Sequence, residues 1–211
     1  MARLPKPKIV IDELPKPNAT AGGGSWPLKL DHVSPFAWHD SFFSESDLDA
    51  LIEIGQSTNL TKAQTYGKQS DDVRNSFVSF LFPNDVTSWV FSKLTDLVTA
   101  MNEQHFGFDL TGFEQGLQFT RYTAPGEHYR WHADRGFMSP TRKLSVSVQL
   151  SDPQSYKGGG LELNPDGVVA KVPKKRGMVT LFPSYTLHRV RPVTEGTRFS
   201  LVAWVSGPPF Q

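Results

Sequence analysis

His132 and Asp134 stand two residues apart in Tyr129-Arg130-Trp131-His132-Ala133-Asp134. On a β-strand, side chains i and i+2 share one face about 6.5–7 Å apart, so an imidazole and a carboxylate at this spacing can grasp one ion. A third ligand has to come from elsewhere in the sheet, and His188 is the natural candidate. Two histidines and one carboxylate suit Fe(II) and leave coordination positions open for small ligands. The chain contains no cysteine, which removes disulfides, thiolate zinc sites, iron–sulfur clusters and a cysteine nucleophile. A bound metal must therefore be held by histidine nitrogen and carboxylate oxygen.

A cation suited to a dicarboxylate lies downstream. Thr194-Glu195-Gly196-Thr197 reads as a hairpin turn, which places Arg198 on the strand beside His188. The displacement is then about four residues, or roughly 13 Å, a gap that a five-carbon diacid chelating the metal through its keto-acid end can span. The planar guanidinium offers a carboxylate two parallel charge-assisted bonds. Ser200, two residues further on the same face, adds a hydroxyl donor.

Other chemistry-bearing residues read differently. His128 and His132 would pair on zinc only in a helix, and Pro125, Gly126 and the neighbouring aromatics argue against one there. His128 is expected to face solvent or the substrate entrance. Tyr129, Arg130, Trp131 and Arg142 are candidate liners of a substrate site, and Asp71 to Asn75 is assigned from its position to a mobile substrate loop. Lys171, Lys174, Lys175 and Arg176 read as a solvated hairpin tip. Gly158-Gly159-Gly160 lacks a following helix signal, so it suits close strand approach or a loop at the mouth rather than a phosphate cradle.

The elements that must position these residues follow from periodicity. Residues 1–30 form a Pro/Gly-rich arm, with Leu-Pro-Lys-Pro at 4–7 and 14–17 and a triglycine at 22–24. Residues 31–211 read as a single domain, with helical support over about 44–105 and a β core over about 107–206. Ser44 caps a first helix that Gly55 is expected to stop. A second helix over about 86–104 carries Val90, Leu94, Leu97, Val98 and Met101 on one stripe. After 107, eight short β-rich segments run at 115–124, 127–134, 143–151, 160–164, 167–172, 177–182, 187–193 and 197–205. Asn164-Pro165-Asp166-Gly167 reads as another turn. The fold class is mainly β (α+β), a double-sheet jelly roll or double-stranded β-helix with flanking N-terminal helices.

From Arg121 to Trp204 the sequence resembles the prolyl-4-hydroxylase-like branch of the iron(II)/2-oxoglutarate dioxygenases, particularly short phage and bacterial members. The matching pieces are Arg121-Tyr122 with Gly126 and Tyr129 before His132-Ala133-Asp134, then Arg142 to Ser145 leading to Gln149 to Asp152. Gly158 to Glu162, Phe182-Pro183-Ser184, His188 to Val190 and Thr197 to Trp204 complete the pattern. The resemblance implies that His132, Asp134 and His188 hold Fe(II). It implies that Arg198 and Tyr122 bind 2-oxoglutarate, and that Trp204 lies close to the catalytic pocket. It also implies O2 as oxidant, ascorbate as a stimulant, and carbon dioxide and succinate as products. Animal and algal prolyl 4-hydroxylases usually carry lysine where this chain has Arg198, and the Tyr122–His132 interval is one residue longer than in most relatives.

The resulting expectation is hydroxylation of a C–H bond, with peptidyl proline the leading substrate. The alternatives are a free amino acid or small metabolite as substrate, and a jelly-roll binding module without turnover. A net charge of +1 and no basic stripe argue against a nucleic-acid partner. No apolar run approaches a membrane span and no secretory signal is visible, so a cytoplasmic location without membrane association is expected.

Overall fold

The computed structural model describes residues 33–64 and 71–209; the proline- and glycine-rich arm lies outside them. The elements are, in chain order, β1 (Ala37–His39), α1 (Glu45–Ser57), β2 (Thr61–Lys62), β3 (Arg74–Asn75), β4 (Phe77–Leu81) and α2 (Ser88–His105). β5 (Gly112–Phe113), β6 (Leu117–Thr123), β7 (His128–His132), β8 (Arg142–Gln149) and β9 (Tyr156–Gly158) follow. The chain ends with β10 (Leu161–Asn164), β11 (Ala170–Lys171), β12 (Val179–Pro183), β13 (Leu187–Val190) and β14 (Val193–Ser206). Strands occupy every segment where the sequence places one.

The strands form two sheets. The larger runs β1-β12-β8-β14-β6-β4-β2, with β5 and β9 also paired to β14; the smaller runs β11-β10-β13-β7-β3. This is the antiparallel double-sheet jelly roll expected, with two helices supporting it. Side-chain alternation divides the larger sheet. One face carries Leu117 and Phe119, Leu144, Val146 and Val148, Val179 and Leu181, and Leu201, Ala203 and Val205, all in the core with Leu48, Leu51, Val90, Leu94, Leu97 and Met101 of the helices. The intervening positions are polar yet buried: Gln118, Thr120, Ser145, Gln149, Thr180, Arg198 and Ser200. A strand exposes alternate residues to opposite faces, so the apolar half holds the helices and the polar half faces the smaller sheet.

α1 begins with a capping box, the Asp47 amide donating to the Ser44 hydroxyl and the Ser44 amide to the Asp47 carboxylate. Gly55 does not stop this helix, which continues to Ser57. Its role is contact: a Cβ there would lie 2.3 Å from the buried Phe119 ring, so only glycine lets the helix reach the sheet. The Asn164–Gly167 turn joins β10 to β11, with the Gly167 amide donating to the Asn164 side chain.

Two expectations about the strands are corrected. Thr194 to Thr197 do not turn back; they belong to β14, which is continuous over 14 residues. The change of direction falls at Arg191-Pro192, before β14, where the chain passes from the smaller sheet to the larger. Arg198 therefore faces His188 from the opposite sheet rather than from a neighbouring strand. Arg74 and Asn75, assigned to a substrate loop, form β3 and pair with Tyr129 and His128.

Candidate metal and dicarboxylate site

Between the sheets lies a cavity of about 550 Å³ lined by His132, Asp134 and His188 and also by Tyr122, Arg198 and Ser200. His132 and His188 are directly opposite each other on β7 and β13. One extra residue on β7 between this pair and Val190↔Tyr129 forms a bulge. The bulge turns Tyr129 and His132, three residues apart, toward the same side, and their rings stack 3.4 Å apart at 18°. Asp134 is not on the strand. β7 ends at His132, and Asp134 sits in the bend beyond it, so the chain's departure from the sheet, not the strand repeat, aims the carboxylate.

The donor atoms of His132, Asp134 and His188 lie within 4.8 Å of one another. His132 Nε2 is 3.7 Å from Asp134 Oδ1, and His188 Nε2 is 3.4 Å from Asp134 Oδ2. Metal–ligand bonds of about 2.1 Å set adjacent donors about 3 Å apart, so the three atoms fit one ion with a small contraction. Each imidazole is oriented by its far nitrogen: Nδ1 of His132 donates to the Arg130 carbonyl at 2.8 Å, and Nδ1 of His188 to the Thr186 carbonyl at 3.0 Å. The Nε2 lone pairs then face the carboxylate, the tautomer a metal needs.

Electrostatics agree with this geometry. Burial, reinforced by His188, pushes His132 down to about 3, which keeps its ring neutral. Burial alone would raise the Asp134 carboxyl. His188, His132, the Ser145 hydroxyl and the Trp204 indole outweigh that effect and hold it below the usual carboxylate range. Ser145 Oγ donates to Asp134 Oδ2 at 2.6 Å and contacts Ser184 Oγ at 3.0 Å.

Across the cavity, Arg198 is 3% exposed. Its Nε donates to Gln149 Oε1 at 3.1 Å and its Nη1 to Ser200 Oγ at 3.3 Å. The Tyr122 ring, opposite it in the register, lies 5.6 Å from the guanidinium. Among the described residues no carboxylate pairs with Arg198. A buried cation without an anion is costly, and the carboxylate of a ligand is the counter-charge this arrangement accepts. Gly158 and Gly159 permit the close packing there: a Cβ on Gly158 would lie 2.1 Å from the Pro192 carbonyl, and one on Gly159 would lie 3.1 Å from Arg198 Cδ.

Tyr129, Arg142 and Trp204 also line the cavity. Arg142 spans Asp134 O and Gln115 Oε1, each at 3.1 Å, with its guanidinium 4.0 Å from the Trp204 ring. Trp131 is absent from the lining; its ring packs against Arg189, 4.5 Å away, and Arg189 in turn holds Glu162 at 2.7 Å. His128 bridges the Gly126 and Asp72 carbonyls and makes no metal pair with His132. The basic cluster is not simply a solvated tip. Arg176 grips Glu45 and Asp49 of α1, and Lys174 bonds the Gly158 carbonyl with its ammonium 4.9 Å from the Tyr156 ring.

Sequence reasoning gave Ser145 and Gln149 no role in the site and reached Arg74 only as part of the Asp71 to Asn75 segment. The available signal was parity: in Leu144-Ser145-Val146-Ser147-Val148-Gln149 the polar positions alternate with core residues, so one polar residue of this strand marks the face of the others.

A family model described as the 2OG-Fe(II) oxygenase superfamily matches residues 117–206, which hold the three donors and Arg198. A PKHD-type hydroxylase of Prochlorococcus marinus (strain MIT 9313) is 32% identical over 163 residues, 76% of this chain and 72% of that protein. The chain belongs to the 2-oxoglutarate- and iron(II)-dependent oxygenase superfamily. Membership implies Fe(II) and 2-oxoglutarate. Across four other PKHD-type hydroxylases, from Prochlorococcus and Synechococcus, the match spans 41% to 63% of their length. A prolyl-4-hydroxylase of Pseudomonas putida superposes with a TM-score of 0.68 at 23% identity, over 83% of this chain and 94% of that one. A Trichoplax adhaerens prolyl hydroxylase, solved with a hypoxia inducible factor peptide fragment, gives 0.70 at 19% identity, over 82% and 84%. These two likenesses show a shared fold. Among the described residues no helix is long and apolar enough to cross a membrane.

Proposed function

We propose that this protein is an Fe(II)- and 2-oxoglutarate-dependent dioxygenase that hydroxylates a C–H bond of a substrate residue, peptidyl proline being the leading candidate. The observation that supports it most is the meeting, in one cavity, of three metal-type donors with a buried arginine lacking a carboxylate partner among the described residues. In this reading residues 31–211 act as one dioxygenase domain in the cytoplasm, and ascorbate stimulates turnover.

His132, Asp134 and His188 would hold Fe(II). With the metal bound, 2-oxoglutarate and O2 supply the oxidation: the keto acid loses CO2 to become succinate, one oxygen atom entering succinate and the other the substrate C–H bond. Arg198 and Ser200 bind the distal carboxylate, with Tyr122 packed beside them. The neutral His132 ring offers its lone pair at physiological pH, since its proton affinity is held far below 7. Ser145 fixes the carboxylate of Asp134. Leu161, Phe182, Val190 and Val202 give the cavity apolar wall, which limits water around the reacting groups. A cavity of about 550 Å³ is also of the size that takes a small molecule, so a free amino acid or small metabolite is the second reading.

Anaerobically purified protein given Fe(II), ascorbate, 2-oxoglutarate and then O2 is expected to form succinate, faster with a proline-rich peptide than with free amino acids. His132→Ala and Arg198→Ala should abolish or sharply reduce it. If the wild-type protein forms no succinate and binds neither metal nor 2-oxoglutarate, the reading fails and a non-catalytic binding module takes its place.

A further inference from the structure

We propose that Arg74 is a substrate-carboxylate anchor, so that the substrate carries an acid group on the target residue or its immediate neighbour. The proposal rests on the dioxygenase reading and specifies its substrate. Arg74 enters the cavity from β3, at the end opposite Arg198's sheet, and is 9% exposed. Its Nε donates to Ser76 Oγ at 3.0 Å, and its guanidinium lies 4.5 Å from the Tyr129 ring, which stacks on His132 at 3.4 Å. The face and one edge of the guanidinium are thus used, and among the described residues nothing else bonds it, which leaves the Nη edge for a ligand. Among the described residues no acid pairs with Arg74, and Asp134 is the one acidic residue in the lining.

Charge balance then points to the ligand. Fe(II) with the Asp134 carboxylate and the Arg198 guanidinium just offsets the two negative charges of 2-oxoglutarate, and Arg142, the third guanidinium of the lining, lies near Glu114, so neither of the cofactors neutralises Arg74. A cation this buried is stable only with a counter-charge, and the molecule still to enter the cavity is the substrate. The two ring distances place the guanidinium within about 8 Å of His132, a span of about two extended residues. The anchored carboxylate is therefore the α-carboxylate of a terminal or free target residue, or an acidic side chain next to the target.

The test is binding without turnover, by calorimetry on protein loaded with Mn(II) and 2-oxoglutarate in the absence of O2. One pair of probes is N-acetyl-L-proline and its amide; the other is N-acetyl-prolyl-glutamate amide and its glutamine counterpart. The acidic member of at least one pair should bind about ten- to hundredfold tighter, the pair identifying the source of the carboxylate. That preference should disappear in Arg74→Gln, persist in Arg74→Lys and weaken with salt, while Mn(II) and 2-oxoglutarate affinities stay unchanged. A merely structural role, holding Tyr129 against His132, would instead lower metal affinity and weaken acid and amide alike. Equal binding within both pairs, a preference surviving in Arg74→Gln, or no binding of any probe to protein that does bind 2-oxoglutarate would overturn the anchor and leave the dioxygenase reading standing. Failure to bind 2-oxoglutarate would overturn that reading itself.

Discussion

Ser145→Ala isolates the support of the carboxylate proposed to bind the metal from the carboxylate itself. The substitution keeps the Cβ and removes one oxygen from a fully buried position on β8. Asp134 Oδ2 loses its 2.6 Å donor and Ser184 Oγ loses a partner at 3.0 Å. A buried hydrogen bond to a charged group contributes about 1.5–3 kcal/mol, and loss of such support to a metal ligand weakens metal affinity about 10- to 100-fold. The vacated volume is one hydroxyl, so no large cavity penalty is added. Ser145 is also among the groups that hold the Asp134 carboxyl down. Without it protons compete better for Asp134, and the acid limb of metal binding moves to higher pH. The assay is a Co(II) titration followed by visible absorption, repeated from pH 5 to 8, with thermal unfolding of the metal-free protein in parallel. Affinity within twofold of wild type across that range, in a variant that folds normally, would refute the claim that this hydroxyl fixes Asp134.

Gly55→Ala should destabilise the fold: the helix gains about 1 kcal/mol of propensity, but a Cβ 2.3 Å from Phe119 adds overpacking of about 1–3 kcal/mol or more; a raised melting temperature would contradict the contact. Arg198→Gln should raise the 2-oxoglutarate KM at least tenfold with metal affinity unchanged, as titrated by Co(II) absorption. Metal-free protein should lose stability in acid, because the folded state holds His132 down near 3 while the unfolded chain protonates it near 6.5. That contribution is complete above pH 6.5 and falls by at most about 1.4 kcal/mol per pH unit toward pH 3; urea unfolding between pH 4 and 7 should show the slope, and His132→Gln should flatten it. Trp131→Ala should leave substrate KM within about twofold, since its ring packs on Arg189 outside the cavity.

The jelly-roll architecture was legible because short segments rich in β-branched and aromatic residues alternate with turn residues, and α2 because five apolar residues fall on one stripe and all five are buried. The gathering of His132, Asp134 and His188 was legible from residue type, but the reason they meet was not. A β-bulge and a bend after His132 are set by tertiary pairing with β13, and no local residue pattern announces them. The same holds for Arg198. Thr-Glu-Gly-Thr has turn chemistry, yet pairing with β9 through Lys157 and Tyr156 keeps it extended. Local preference lost to a long-range ladder. Gly55 shows the converse error, a helix-stopping residue retained inside a helix because a phenyl ring leaves no room for a side chain. Lys174 to Arg176 looked solvated because a charge run says nothing about which acids the fold brings within reach.

β14 is bonded along its length to β5, β6, β8 and β9, and it carries Arg198, Ser200 and Trp204 on its cavity side. A strand hemmed in by four partners has no cheap way to fray, so its amides should be among the slowest to exchange with solvent and should open only when the whole fold does. Among the described residues β7 has just two partners, one of them the two-residue β3. The cavity thus has an anvil and a looser jaw: under the proposed function the wall assigned to the dicarboxylate would keep its shape through each cycle, and whatever breathing admits a ligand would belong to the side that carries Arg74, Tyr129 and His132.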